Sequence, residues 1–348
     1  MATRKTEATE LSVGFGILGV DPLEQIANIE NRFLNSLPIS KWHEFQNEYK
    51  RDEKLYKKFF ELGLHLRETR FDGVTQLVWS GPQQQAMTAS GAKDLFIPGL
   101  NMPISVKNES NVVLNASPHN LFRSLPQGKA FASRAEHWFL EKDPVSYQKL
   151  YEFVRSQFRK DLPRDVSAFE NQITRSSRNE FQDFVTKGLN SHTKKQFGVF
   201  YKELCDSVSQ NSADEFNGHL DNLPSNERSA VHETIMRQFF RIDTVPYLLV
   251  GLDKRKGFAV QIPDLTTWKK QWRIGDVKAM PDLGRGQSVV RISITTTDKN
   301  KKSIVYDFGF RVEIRWSHGK FCGNPEGKLY KSFAWLEVPF FQKIVGEI

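Results

Sequence analysis

The chain has little cysteine: Cys205 and Cys322 alone in 348 residues. They lie far apart, so no disulfide framework and no zinc-ligand spacing is present, and a reducing cytoplasm is the expected compartment. Long apolar runs are also missing. No stretch approaches the roughly 18 apolar residues of a membrane span, so no membrane partner is expected. The first twenty residues, MATRKTEATELSVGFGILGV, turn from basic to apolar, but Glu7 and Glu10 interrupt them. The apolar part is short and glycine-rich without a cleavage signal, and reads as a flexible arm or an added strand. No GxGxxG, Walker A, HExxH or GxSxG pattern occurs, which argues against dinucleotide, NTP-hydrolysing, zinc-protease and serine-hydrolase chemistry.

Phenylalanine, by contrast, is plentiful, with 27 residues, and points to an aromatic core. So is positive charge: the net charge is +8. A basic chain of this size favours a polyanionic partner, of which nucleic acid is the commonest.

The periodicity divides the chain in three. Residues 1–142 begin with helices. Asp21-Pro22 is a helix-start signal, followed by Leu23, Ile26, Ile29, Phe33 and Leu37 at helical spacing. Further helices are expected over Ile39–Tyr49 and Asp52–Arg70, the last burying Leu55, Phe59, Leu62 and Leu66. The period then shortens to two, and Val74–Ser80, Asp94–Ile97 and Pro103–Lys107 read as a three-stranded meander. Residues 143–242 are helical by pattern, including Val166–Leu189, Lys194–Ser209 and Ala213–Leu220. Residues 243–348 alternate as an antiparallel β region. The expected class is α/β (α+β), as one compact body or two tightly packed lobes.

Ser90–Asn115 carries the chemistry. Asp94 lies on one short apolar run and Lys107 on the next, with Pro98-Gly99 as the turn between them. Alternation puts Ser105 and Lys107 on one face and Ile104 and Val106 on the other. An acid and a lysine on adjacent strands suit metal-dependent phosphodiester hydrolysis. The acid holds a hard divalent ion, and the lysine positions or helps deprotonate the attacking water.

The stretch GAKDLFIPGLNMPISVKNES resembles the core of the PD-(D/E)xK nuclease superfamily, the fold of most type II restriction endonucleases. In that family an acid opens one strand of a hairpin and a (D/E)-x-K tripeptide sits on the next. Here Asp94 matches the first acid and Ser105-Val106-Lys107 the tripeptide. The resemblance covers roughly residues 50–125. It implies a mixed sheet core flanked by helices, a Mg²⁺ cofactor, double-stranded DNA as substrate, and a homodimer if cutting is symmetric. Ser105 stands where an acid is usual, so a second metal ligand must come from elsewhere. The family's first core helix often contributes a glutamate, and Asp52–Arg70 matches that helix. Glu61 is therefore ranked first as the second acid, ahead of Glu68 on the same helix and Glu109 beyond Lys107. Ser105 would hydrogen-bond metal-bound water or phosphate.

A DNA-reading surface is expected in the C-terminal third. Its candidates are Lys254 and Arg255 at a hairpin tip, Lys269 and Lys270 on a short helix, and Arg311, Arg315 and Lys320 on a polar sheet face. Phosphate contacts would supply affinity and base-edge contacts specificity. Two other readings stay open: a DNA-binding protein that keeps this fold without cutting, and an interaction module in which the hairpin is a coincidence.

Overall fold

The structure, a computed structural model, describes residues 4–24, 32–33, 37–80, 94–132, 137–158, 160–301 and 304–345. In chain order the elements are α1 (Arg4–Leu18), α2 (Ile39–Arg51), α3 (Glu53–Arg70), β1 (Val78–Trp79), β2 (Leu95–Ile97), β3 (Met102–Asn108) and β4 (Val112–Ala116). Then come α4 (Trp138–Lys142), α5 (Pro144–Arg155), α6 (Val166–Gln172), α7 (Arg175–Asp183), α8 (Ser191–Asp221) and α9 (Ser225–Phe240). The chain closes with β5 (Tyr247–Asp253), β6 (Lys256–Ile262), α10 (Leu265–Gln271), β7 (Trp272–Pro281), β8 (Ser288–Asp298), β9 (Val305–Trp316), β10 (Pro325–Lys331) and β11 (Gln342–Val345). The class is mixed α/β. One sheet is mixed, in the order β1-β2-β3-β5-β6-β11, and the other is antiparallel, β4-β10-β9-β8-β7.

Two compact units divide the chain. One takes residues 1–111, 241–272 and 333–348; the other takes 112–240 and 273–332. The strands after residue 243 do not form one sheet. β5, β6 and β11 extend the meander of the first unit, and β7–β10 pair with one another and with β4 in the second. Strand alternation reveals which residues face a core. It does not reveal which partner strand they find.

In the first unit, β2 and β3 form the expected hairpin, with Leu95 opposite Ile104 and Ile97 opposite Met102. β3 then pairs in parallel with β5, Ile104 opposite Leu248 and Lys107 opposite Gly251. Leu95, Ile104, Val106, Leu248 and Val250 pack into a core with Phe15, Phe45, Tyr56, Phe59 and Leu66. The helices at Ile39 and Glu53 fall where periodicity places them. The expected helical run from Leu23 to Leu37 lies largely outside the described residues.

The largest departure is α1. Glu7 through Leu18 are all buried, so the helix has no polar face from which a 3.6-residue period can be read. Its two internal glycines further disguise it. It ends on Gly19, at φ 66, where the Val20 amide donates to the Phe15 carbonyl at 3.1 Å. A segment read as an arm is a central helix of the unit.

The second unit is helical over most of residues 143–240. The run expected over Val166–Leu189 breaks after α6, where the Thr174 hydroxyl caps α7 through the Ser177 amide. The two helices expected between Lys194 and Leu220 are instead one, α8, capped at Asn190. Aromatic side chains fill its core as the composition suggests. Trp316 stacks on Phe139 with centroids 4.2 Å apart and meets Phe321 edge-on at 4.9 Å.

Buried Glu170 on α6 accepts hydrogen bonds from the Tyr147 hydroxyl and from Arg178, and lies 3.3 Å from His137 Nδ1. Burial alone would raise its pKa, but the bonds from His137, Arg178 and Tyr147 outweigh that and hold it below 4.5. The same contact raises His137 above 6.5. The carboxylate's contribution is complete above pH 4.5 and lost as pH falls through its lowered value. The imidazolium's is complete below pH 6.5 and lost as pH rises through its raised value. The stability gap between wild type and Glu170→Gln in urea unfolding is therefore expected to peak between pH 4.5 and 6.5. A gap that stays constant from pH 4 to about pH 8 would refute this coupling.

Candidate active site

The β2–β3 hairpin places Asp94 immediately before β2, across from Ser105. The Asp94 amide donates to the Ile104 carbonyl at 2.9 Å, and its own carbonyl accepts from Ser80 at 3.1 Å. Its side chain is buried. Oδ2 accepts from the Ser105 hydroxyl at 3.0 Å and from the Val106 amide at 2.6 Å. Two donors on one oxygen fix the carboxylate's direction. Ser105 is wholly buried. This serine acts as an orienting donor to the acid opposite it on the hairpin.

Lys107 lies two residues along β3, on the same face as Ser105. Its pKa falls from 10.5 to about 8. Burial is the main cause and the charge of Arg241 the second; Asp94 and Glu10 pull the other way. Gly251, opposite Lys107 on β5, makes this close seating possible. A Cβ there would fall 2.1 Å from the Lys107 carbonyl oxygen and 3.1 Å from its Cβ.

A second buried acid stands in the field of Asp94: Glu10, on α1. It is 5 % exposed and accepts a hydrogen bond from the Trp79 indole at 2.8 Å. Its pKa is raised from 4.5 to about 8, first by burial and then by the negative charge of Asp94, while Trp79 and Lys107 ease it. A helix and the β2–β3 hairpin, distant in sequence, thus bring Glu10, Asp94 and Lys107 within one another's field.

Sequence reasoning missed Glu10 because it took the two glutamates as interruptions of an apolar run. The usable signal was there. An acid inside an apolar segment is expensive to bury without a partner or a task. Glu7 has a partner, Lys41, at 2.8 Å. Glu10 sits beside a second carboxylate.

The acids ranked from sequence are placed differently. Glu61 and Glu68 are both exposed on α3, and neither figures among the charges acting on Glu10 or Lys107. The stripe that buries Phe59, Leu62 and Leu66 turns these glutamates outward. Glu109 is exposed as well. β3 ends at Asn108, and Glu109 has φ 48, so the alternation that would carry it to the Lys107 face has stopped.

Two buried carboxylates within each other's field suit a hard divalent cation, which offsets their repulsion. Among the described residues, no group of three or more His, Cys, Asp and Glu side chains is gathered to hold a metal. Mg²⁺ keeps several waters and commonly takes only one or two protein carboxylates, so Asp94 and Glu10 meet that minimum.

The basic candidates fall into two sets. In the first unit, Lys254 and Arg255 are exposed at the β5–β6 turn, at φ 50 and φ 67, and Lys269 and Lys270 are exposed on α10. In the second, Arg311 pairs with Glu313 at 2.8 Å and lies over the Tyr330 ring, Arg315 pairs with Glu326 at 2.8 Å, and Lys320 is exposed. Among the described residues, no helix is long and apolar enough to cross a membrane. No family model, curated protein or solved structure matches the chain.

Proposed function

We propose that this chain is a Mg²⁺-dependent endodeoxyribonuclease of the PD-(D/E)xK kind, cutting double-stranded DNA in the manner of a type II restriction enzyme. The observation that carries the reading is the convergence of Glu10, Asp94 and Lys107 from a helix and two adjacent strands. An acid before one strand, a lysine on the next and a glutamate from a neighbouring helix is the arrangement the sequence resemblance implies. In this reading the glutamate is Glu10 of α1 and not one from α3.

Asp94 and Glu10 would hold Mg²⁺, which supplies positive charge for the phosphoryl oxygens and acidifies a water. Asp94 is aimed by Ser105 and the Val106 amide. Lys107, its pKa pushed down to about 8 chiefly by burial, can give or take a proton at Nζ and orient the attacking water. The exposed lysines and arginines at the β5–β6 turn and on α10 would bind backbone phosphates, and Arg311, Arg315 and Lys320 supply further contacts. Symmetric cutting would make the working form a homodimer.

Incubation with phage DNA and Mg²⁺ is expected to give discrete fragments, lost in EDTA. Lys107→Ala is expected to lower cleavage by about 10²–10³-fold with salt-sensitive DNA binding retained. Cleavage that survives the substitution would sink the assignment of the site. Salt-sensitive binding without cutting by the wild type would leave a DNA-binding protein on this fold.

A further inference from the structure

Lys107 has a second cation for a neighbour, and the fold accepts a cost to put it there. Arg241 lies between α9 and β5 with φ 56, a left-handed backbone that suits glycine or asparagine better than arginine. Its charge acts on both Lys107 and Tyr247. Among the described residues it forms no ion pair or hydrogen bond.

Tyr247 opens β5. It lies two residues before Leu249, which pairs with Ser105, and four before Gly251, which pairs with Lys107. Directly paired residues of neighbouring strands share a face, so Tyr247 belongs to the Ser105–Lys107 face. The ring is buried at 5 % exposure, and its hydroxyl has no hydrogen-bond partner. It sits within the field of Arg241, Asp243 and Asp94. A buried hydroxyl left unpaired is costly. So is a pair of like charges. An anion with several acceptor oxygens, placed between the two cations and the phenol, relieves both.

We infer that Arg241 and the Tyr247 hydroxyl join Lys107 as a phosphate cradle, donating to the non-bridging oxygens of the DNA backbone phosphate on which the site acts. This rests on the nuclease reading for the identity of the phosphate. The acids Asp94 and Glu10 would then hold the metal, and Lys107, Arg241 and Tyr247 the phosphate.

Inorganic phosphate, titrated calorimetrically into the full chain in metal-free buffer, tests the cradle directly. Arg241→Asn removes the guanidinium and eases the backbone, because asparagine tolerates the left-handed region. Tyr247→Phe removes only an oxygen that has no partner. Both variants are expected to keep or raise the thermal midpoint. Phosphate affinity is expected to fall about tenfold for each, and Arg241→Lys to restore part of it.

The same variants are assayed for Mg²⁺-dependent DNA cleavage, where a higher KM and a lower kcat are expected. Absence of phosphate binding by the wild type, or unchanged affinity in both variants, overturns the cradle. If the wild type cuts DNA and Arg241→Asn cuts it with the same kcat/KM, the cradle fails and the nuclease reading stands. If phosphate binding depends on Arg241 but no DNA is cut, the cradle stands and the nuclease reading fails.

Discussion

Glu10→Gln is expected to abolish Mg²⁺-dependent cleavage, by on the order of 10³-fold, while making the protein more stable in mild alkali. The two effects share a cause. Glu10 is buried beside Asp94, and its pKa stands at about 8 against an ordinary 4.5. An acid with a raised folded-state pKa leaves stability untouched below pH 4.5. It costs stability progressively as pH rises, and the cost is complete above about pH 8. Glutamine is nearly isosteric, still accepts from the Trp79 indole through its amide oxygen, and carries no charge to desolvate. Wild type and variant are therefore expected to unfold alike near pH 4.5 and to diverge above it, the variant being the more resistant to urea. Glu61→Gln and Glu68→Gln, on exposed positions of α3, are expected to change neither property. Full activity in Glu10→Gln, or loss of activity in Glu61→Gln, would return the second acid to α3.

A residue that costs stability in isolation and supports activity is the usual signature of a functional group in a packed interior. The same pattern recurs nearby. Arg241 occupies a backbone region unsuited to it, and Tyr247 buries a hydroxyl without a partner. Both lie at the entry to β5, whose first residue, Tyr247, shares the Ser105–Lys107 face. In α2 and α3, by contrast, the helical period and the buried face agree.

That contrast also explains what the sequence disclosed. Asp94 and Lys107 were legible because they lie in short runs where alternation fixes the face, with a Pro-Gly turn to fix the pairing. The α2 and α3 helices were legible because each is half-buried, and half-burial is what a hydrophobic period records. α1 was not, because burial on every side erases the period. The path of β5, β6 and β11 into the first sheet was not, because parallel pairing of β3 with β5 spans residues 112–240, the first segment of the second unit. The site depends on both of these hidden features. α1 brings Glu10, and β5 brings Tyr247 and the glycine that admits Lys107. Only half of it lay within any one stretch of sequence.

Gly16→Ala and Gly63→Ala are expected to be strongly destabilising in the first unit, because α1 and α3 touch there backbone to backbone. A Cβ on Gly16 would sit 2.2 Å from the Phe60 carbonyl oxygen and 2.8 Å from the Gly63 Cα. A Cβ on Gly63 would sit 2.3 Å from the Val13 carbonyl oxygen and 2.9 Å from the Gly16 Cα. Alanine in a helix interior gains roughly 1 kcal/mol over glycine. Overlap with main-chain atoms, which cannot rotate away, costs about 3 kcal/mol or more and decides the sign. Gly198→Ala and Gly218→Ala in α8 isolate the first effect, since a Cβ at either meets nothing within 4 Å. They are expected to stabilise by up to about 1 kcal/mol in urea unfolding. The double variant Gly16→Ala/Gly63→Ala is expected to cost less than the sum of its parts, because one methyl already forces the helices apart. Glu10 lies six residues before Gly16 on the same helix, so that separation moves a carboxylate as well as a packing surface. Gly63→Ala touches none of Glu10, Asp94 and Lys107, yet cleavage measured well below its unfolding midpoint is expected to fall, with Lys107 and Asp94 intact. A destabilised Gly63→Ala that cuts DNA at the wild-type rate would show that α1 holds the fold together without supplying the acid.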